Sequence, residues 1–257
     1  TFLEAWIGAM GYTFQLYFDF SGYSEMAIGL GLMFNLRLPV NFNSPYQARS
    51  IIDFWRRWHM TLGLWVRDYL YIPLGGNRHG ELAKMRNLFI AMLIIGLWHG
   101  AGWTFVFWGG MHGVALMLNH QWRRLNIKLP HLLNWGMTFL CVVILWVFFR
   151  ADNFHDAWNL ICGMAGVHGF ALQAGSRLEL WFGGLGIPFE RFNSTDSILE
   201  QLGVLTFLTF VLMRIKNPLE YMKDFKPKKI YLYIILALFL ISLYQMNAHS
   251  EFLYFQF

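Results

Sequence analysis

The sequence predicts an all-α integral membrane protein built from several helices. Hydrophobic residues make up 56% of the 257 positions, and the mean hydropathy is +0.40. Only 14% of the residues are charged, whereas soluble domains average about 25%. The charged residues form short clusters between long apolar runs. This pattern is typical of a multi-pass membrane protein.

The net charge of +5 does not by itself indicate a nucleic-acid partner. The basic residues lie at the ends of apolar runs, in the clusters 78–86, 123–128 and 214–229. Loops rich in lysine and arginine stay on the cytoplasmic side of a membrane. We therefore expect these clusters to mark cytoplasmic loops, and we expect membrane lipid rather than nucleic acid as the surrounding partner.

The cysteines give no sign of a disulfide framework or a metal site, and the start of the sequence gives no sign of a signal peptide. Cys141 and Cys162 lie far apart, and the sequence has neither a C-x-x-C motif nor histidines at metal-ligand spacing, so we predict no disulfide framework and no metal site. The sequence begins at Thr1 without a basic segment that leads to a cleavage site. We expect that further N-terminal helices belong to the fold.

The first apolar segment, residues 2–34, is interrupted by polar residues at 19–25. Acids, hydroxyls and a glycine at membrane depth are tolerated where they face protein or a water-filled cavity. We predict a broken or re-entrant helix here. The alternative is a surface loop between two short helices.

A second helix is predicted from Pro45 to about Gly63. Ser44 and Gln47 have the spacing of a capping box, and Pro45 falls at the first helical position. Its mixed arginines and tryptophans are typical of a helix at the membrane interface, and Asp53 can pair with Arg57 one turn later. His59 falls on the apolar side, where a buried structural histidine is the alternative to a functional one. A glycine turn at 75–76 follows.

The apolar run 88–118 contains His99, followed by Gly100 and Gly102. A single crossing would place the basic clusters before and after this run on opposite sides of the membrane, which conflicts with the positive-inside rule. We therefore predict two short helices of about 12–16 residues each that are broken at the glycines, with a kinked single pass as the alternative.

The rest of the chain alternates between spans and loops. We predict spanning helices at 132–149, 202–213 and 230–246. The segment 151–201 is predicted to be non-cytoplasmic and partly interfacial, because it is acidic yet contains apolar residues such as Trp158 and Trp181. We expect residues 1–257 to form one membrane domain.

An ionisable histidine inside a membrane is costly, so His99 is a candidate functional residue. In the alternative interpretations, His99 only forms a hydrogen bond to a neighbouring helix, or it serves as a proton relay or packing residue in a transporter or scaffold. The runs 88–118, 132–149, 202–213 and 230–246 contain no Asp, Glu, Lys or Arg, which argues against a transporter and leaves a scaffold open. His112, thirteen residues later, is interpreted as structural.

Several motifs in order resemble the membrane-bound O-acyltransferase (MBOAT) family, and within it the branch that O-acetylates alginate. They cover about residues 16–113, and the C-terminal residues 252–257 also resemble that branch. The motifs are Tyr17–Ser24, Asn41–Tyr46, Asp53–Leu62, Arg67–Gly76 and Trp98–Trp103.

The resemblance implies a bundle of short, tilted and re-entrant helices around a funnel or tunnel, in the bacterial inner membrane. Residues 16–113 would form the catalytic core. His99 matches the family's essential histidine, and His59 matches its second recurrent histidine. The implied function is O-acetylation of an exopolysaccharide such as alginate. Within the same superfamily, D-alanyl transfer to a cell-envelope polymer is the alternative.

Acyl transfer to a sugar hydroxyl requires a base, and neutral histidine suits that role. We expect His99 to be the general base and His59 to orient the donor or stabilise the oxyanion. The expected substrate-binding residues are Asp19, Tyr23, Trp98 and Trp103. No bound cofactor is predicted, and acetyl-CoA or another acetyl donor would enter from the cytoplasm. Periplasmic acetyltransferases and the polysaccharide would receive the acetyl group.

Overall fold

The computed structural model describes residues 1–173, 189–190, 198–214 and 226–245. The chain divides into two compact units, residues 1–214 and 215–257. The helices of the first unit are α1 (Phe2–Met33), α2 (Ile51–Trp55), α3 (Met60–Val66), α4 (Gly80–His99), α5 (Trp103–Arg124), α6 (His131–Arg150), α7 (Phe154–Met164) and α8 (Ile198–Arg214). A 3₁₀ turn (Pro45–Gln47) precedes α2, and a π-helical turn (Arg67–Tyr71) follows α3. The second unit contributes α9 (Lys229–Gln245).

The regular structure within the described ranges is helical, apart from a parallel pairing of Leu172–Gln173 with Phe189–Glu190. This confirms the all-α prediction. Among the described helices, α6 alone is both long and apolar enough to cross a membrane, judged by length and composition. The helices predicted at 132–149, 202–213 and 230–246 correspond to α6, α8 and α9.

The prediction of a break at residues 19–25 is wrong, because α1 continues without interruption from Phe2 to Met33. A Cβ added at Gly22 would meet no atom within 4 Å, so this glycine does not mark a close contact. Ser21 and Ser24 are buried, and Ser24 Oγ accepts a hydrogen bond of 3.4 Å from Asn41 Nδ2. These two serines therefore face protein, and the helix does not need to break to accommodate them.

The predicted helix from Pro45 to Gly63 is also wrong in its boundaries. Ser44 has left-handed backbone angles and its side chain makes no capping bond. The functioning cap is Ser50, whose Oγ accepts a bond of 3.1 Å from the amide of Asp53 and so starts α2. After α2 the chain breaks until α3 begins at Met60. The predicted pair of Asp53 with Arg57 is confirmed at 2.8 Å.

The predicted break after His99 is confirmed, since α4 ends there and α5 begins at Trp103. Both helices exceed the predicted 12–16 residues, with 20 and 22 residues respectively. They pack as a hairpin along a seam of glycines. A Cβ at Gly109 would lie 3.0 Å from the Cα of Gly96, and one at Gly113 would lie 3.1 Å from the Cα of Phe89. Small residues allow the two backbones to approach this closely.

The glycine turn before α4 is anchored by one buried amide. Asn87 is fully buried, and its Nδ2 donates bonds of 3.0 Å to the carbonyls of both Leu74 and Gly76. Gly75 and Gly76 have φ angles of 99° and 55°, which favour glycine. This confirms the predicted turn and ties it to α4.

An aromatic core connects the α4–α5 hairpin to α2 and α6. Its fully buried members include Trp108, Trp146 and Phe54. A second apolar cluster joins α1, α6 and α7 through Ala5, Val143 and Ala157. Within the predicted interfacial segment 151–201, Trp158 on α7 is exposed, whereas residues 174–188 and 191–197 lie outside the described ranges.

Candidate active site

His99 occupies the C-terminal end of α4, where the helix stops at an extended Gly100. The ring of Phe105 packs directly on Gly100, and a Cβ at that position would collide with it. The glycines after His99 thus allow α5 to fold back closely over the end of α4. This places the imidazole at a helix end rather than in the middle of a span.

Aromatic rings surround the His99 imidazole without bonding to its nitrogens. Trp108 and Phe149 meet it edge to face, with centroid distances of 5.3 Å and 5.1 Å, and Trp98 lies at 4.9 Å. The side chain is half-buried, and within the described residues its nitrogens have no hydrogen-bond partner and are not enclosed. The ring is therefore held in place by its faces and edges, and no described residue binds its nitrogens.

His59 begins α3 with a left-handed backbone, at φ 44° and ψ 55°. This conformation costs a residue with a side chain about 1–2 kcal/mol, so its surroundings must impose it. Asn41 does so, because its carbonyl accepts a bond of 2.9 Å from the amide of Met60 and its side chain accepts the Thr61 hydroxyl. The half-buried imidazole meets Phe20 of α1 at 4.8 Å.

Trp98 connects the two candidate histidines. Its ring centroid lies 4.9 Å from that of His99 and 6.5 Å from that of His59. The structure therefore brings together two histidines that are 40 positions apart, with an exposed indole between them. Trp98 is 57% exposed and the nearby Trp103, at the start of α5, is 76% exposed.

Asp19 and Tyr23 lie one turn apart on α1, in the part of the helix that also contains Phe20. Asp19 is half-buried and Tyr23 is 54% exposed. Phe20 places this stretch next to His59 through its ring contact. The assignment of Asp19 and Tyr23 to substrate binding stays a prediction.

A cavity of about 550 Å³ runs along α4, toward the end that carries His99. Its basic lining consists of Arg56, Arg67, Lys84 and His120. Its apolar lining includes Trp55, Met92, Ile95 and Leu116. From Lys84 to Ile95 is eleven residues, or about 16 Å at 1.5 Å each, and His99 follows one turn after Ile95. His99 itself does not line the cavity. Sequence reasoning missed this cavity, because its walls come from distant segments.

A second cavity of about 540 Å³ is lined in part by Arg49, Asp53, Arg57 and His131. An Arg49 nitrogen lies 3.1 Å from Nδ1 of His131. Neither candidate histidine lines it. Within the described ranges, no group of three or more histidine, cysteine or acidic side chains could hold a metal ion.

Comparison with known proteins points to one family. Residues 1–151 match the profile of the MBOAT, membrane-bound O-acyltransferase family. The chain is 53% identical over 176 residues to the peptidoglycan O-acetyltransferase of Helicobacter pylori, covering 67% of this chain and 33% of that protein. It is 55% identical over 161 residues to the probable alginate O-acetylase AlgI of Pseudomonas aeruginosa, covering 61% of this chain and 30% of that protein.

A more distant match is the teichoic acid D-alanyltransferase of Streptococcus thermophilus, at 36% identity over 120 residues. This match covers 44% of this chain and 29% of that protein. The chain spans about a third of the length of the curated relatives it matches. By sequence identity, the two relatives named for O-acetylation are more similar to this chain than the one named for D-alanyl transfer.

Proposed function

Because the chain belongs to the MBOAT, membrane-bound O-acyltransferase family, we propose that it transfers acetyl groups to hydroxyls of a bacterial polysaccharide, with His99 as the general base. The observation that carries the proposal is the His99 imidazole, which aromatic edges hold in place while its nitrogens have no partner among the described residues. The relatives named O-acetylases favour acetyl as the acyl group and a polymer such as alginate as the acceptor.

The proposed reaction begins when a hydroxyl oxygen attacks the carbonyl carbon of the acetyl donor. His99 accepts the hydroxyl proton as the new C–O bond forms, because the alcohol is too weak an acid to lose it unaided. The C–S bond of a thioester donor then breaks, and the thiol takes up a proton as it leaves. Catalysis by such a base contributes about 10²–10⁴-fold. His59 would orient the donor or stabilise the oxyanion.

The cavity along α4 supports entry of an anionic donor from the cytoplasm. Its basic lining (Arg56, Arg67, Lys84 and His120) would attract phosphate groups. Its apolar stretch, which includes Met92 and Ile95, would accept an uncharged arm that extends toward His99. Acetyl-CoA has this division of charge, as do other phosphate-bearing thioesters. Asp19, Tyr23, Trp98 and Trp103 are proposed to contact substrate near the histidines.

The proposed location is the bacterial inner membrane, with several crossings and the basic loops inside. Residues 1–257 would belong to one membrane domain, residues 16–113 to its catalytic core, and residues 151–201 to the non-cytoplasmic side. The helices would surround a funnel or tunnel that reaches His99. The acetyl group would then pass to periplasmic acetyltransferases or directly to the polysaccharide.

The test is His99→Ala in the full-length protein, with His155→Ala as the matched control. His155 lies on α7, and its ring contacts the side chain of Asn159 at 2.9 Å on the exposed surface. We expect both variants to reach normal abundance in the membrane. Polymer acetyl content should fall by about 10²-fold or more in His99→Ala and stay unchanged in His155→Ala. Retained acetylation in His99→Ala would refute the role of His99.

The same assay separates acetyl transfer from D-alanyl transfer. Cells supplied with labelled acetate or labelled D-alanine should incorporate label into envelope or secreted polymer in a manner that depends on His99. If only the incorporation of labelled acetate depends on His99, the result supports the proposal. Dependence for D-alanine alone would favour the function named for the more distant relatives.

A further inference from the structure

We propose that His112 is a positioning residue for acyl transfer. It holds Trp55 in the wall of the α4 cavity and holds Trp108 against the His99 ring. It therefore couples the shape of the donor cavity to the orientation of the base. The inference rests on the proposed function, and the experiment below separates the failure of one from the failure of the other.

The bond between Trp55 and His112 fixes the state of the buried imidazole. Trp55 Nε1 lies 3.2 Å from His112 Nδ1. Since an indole nitrogen can only donate, Nδ1 must accept, and the proton of the neutral ring resides on Nε2. His112 is fully buried, and its Nε2 has no partner among the described residues.

Packing alone does not account for a histidine at this position. A buried N–H group without an acceptor is costly, and a phenylalanine would fill similar space without that cost. Phe54 stacks on the His112 ring at 6.2 Å and 8°, as it would on any flat ring. What the histidine adds is the acceptor at Nδ1, and the group that uses this acceptor is Trp55.

One route leads from His112 to His99 through Trp108. Trp108 precedes His112 by one turn of α5, and their rings meet at 4.9 Å and 74°. The opposite contact of Trp108 is His99, at 5.3 Å and 89°. Trp108 is fully buried and stacks on Trp146 at 5.5 Å. The indole of Trp108 is enclosed on all these sides. A shift of His112 would therefore displace Trp108 and change the position of the His99 ring.

The other route leads from His112 to the donor cavity through Trp55. Trp55 lines the cavity, and its bond to His112 keeps the indole against α5. The two rings meet at 5.1 Å and 84°. Without the acceptor, the indole is free to turn toward the cavity and narrow it. Loss of the bond should therefore affect donor binding as well as the rate of transfer.

The experiment compares His112→Phe with His112→Asn in the full-length protein. Asparagine places its side-chain oxygen near the position of Nδ1 and can still accept from Trp55, whereas phenylalanine cannot. We expect His112→Phe to lower kcat/KM for the acetyl donor by about tenfold, with a raised KM and a lowered kcat. His112→Asn should recover to within about threefold of the wild type. Trp55→Phe should resemble His112→Phe, and the double variant should be no worse than either single one.

A purely structural role predicts a different pattern. The thermal midpoint would fall, yet kcat and KM of the purified protein would stay at the wild-type values, and that result would overturn the proposal. It would also be overturned if His112→Asn were as impaired as His112→Phe. If His112→Phe does not accumulate, Trp55→Phe decides the matter, since unchanged kcat and KM there refute the coupling. His99→Ala, measured alongside, fails or succeeds independently of these outcomes.

Discussion

The two candidate histidines both lie where a helix is interrupted, but the interruptions are built differently. After His99, the break is made by glycines, which let α5 fold back over the end of α4. Before α3, the break is made at His59 itself, which adopts a left-handed backbone although it has a side chain. There, Asn41 holds the chain through bonds to Met60 and Thr61.

The difference separates local from tertiary control of a site. The break after His99 follows from the nature of its neighbours in sequence, because a residue without a side chain at position 100 leaves room for the ring of Phe105. The break at His59 depends on a residue 18 positions earlier in the chain, and on α1, which contributes Phe20 and Ser24. The first interruption should therefore be sensitive to crowding between α4 and α5, and the second to loss of single hydrogen bonds.

The largest effect is expected for Gly109→Leu in the hairpin seam. The new side chain would collide with the backbone of α4 near Met92 and Gly96, so the helices must separate. Such overpacking costs about 1–3 kcal/mol or more. We expect the amount of monodisperse protein extracted in detergent to fall severalfold. Gly136→Leu on α6 is the matched control, since a Cβ there meets nothing within 4 Å. Equal yields of the two variants would contradict close packing at the seam.

An intermediate effect is expected for Asn41→Ala. The substitution removes the side-chain acceptor of Thr61 and the donor to Ser24, each bond being worth about 0.5–1.5 kcal/mol. The thermal midpoint should fall by a few degrees, and acetyl transfer should fall further than this loss explains, because His59 leaves its position. Asn134→Ala serves as the control, since its Nδ2 bonds the carbonyl of Leu129 away from both histidines. Proportionate losses in both variants would show that Asn41 has no specific role at the site.

The smallest effect on stability is expected for His59→Gly, which separates backbone from side chain. Glycine accepts the left-handed conformation without strain, so the thermal midpoint should stay the same or rise by an amount equivalent to up to about 1 kcal/mol. Ser44→Gly is the matched control, because Ser44 has nearly the same angles, φ 46° and ψ 59°. If the imidazole of His59 contributes to transfer, activity falls in His59→Gly and not in Ser44→Gly. Full activity in both would remove His59 from the proposed mechanism.

How far the sequence predicts the site follows the same division. Gly100 and Gly102 correctly predict the end of α4, and the apolar run 132–149 correctly predicts α6. By contrast, the capping pattern of Ser44 and Gln47 predicted the wrong helix start, because Ser44 lies in a left-handed turn without a capping bond and Ser50 caps α2 instead. The polar residues at 19–25 predicted a break that α1 does not have; of these residues, Ser21 and Ser24 are buried, and Ser24 accepts a hydrogen bond from Asn41. The bond between Trp55 and His112 joins positions 57 apart, and no local pattern predicts it.

The buried amide of Asn87 has a mechanical consequence for the cavity along α4. It fastens the carbonyls of Leu74 and Gly76 to the same helix that forms one wall of the cavity. We therefore expect that wall and the loop before it to move together. If the cavity widens to admit a bulky substrate, we expect the facing side to move, where α3 leads into the π-helical turn at Arg67–Tyr71. A pair of spin labels, one on each side of this cavity, would report a distance that changes as the α3 side moves relative to α4.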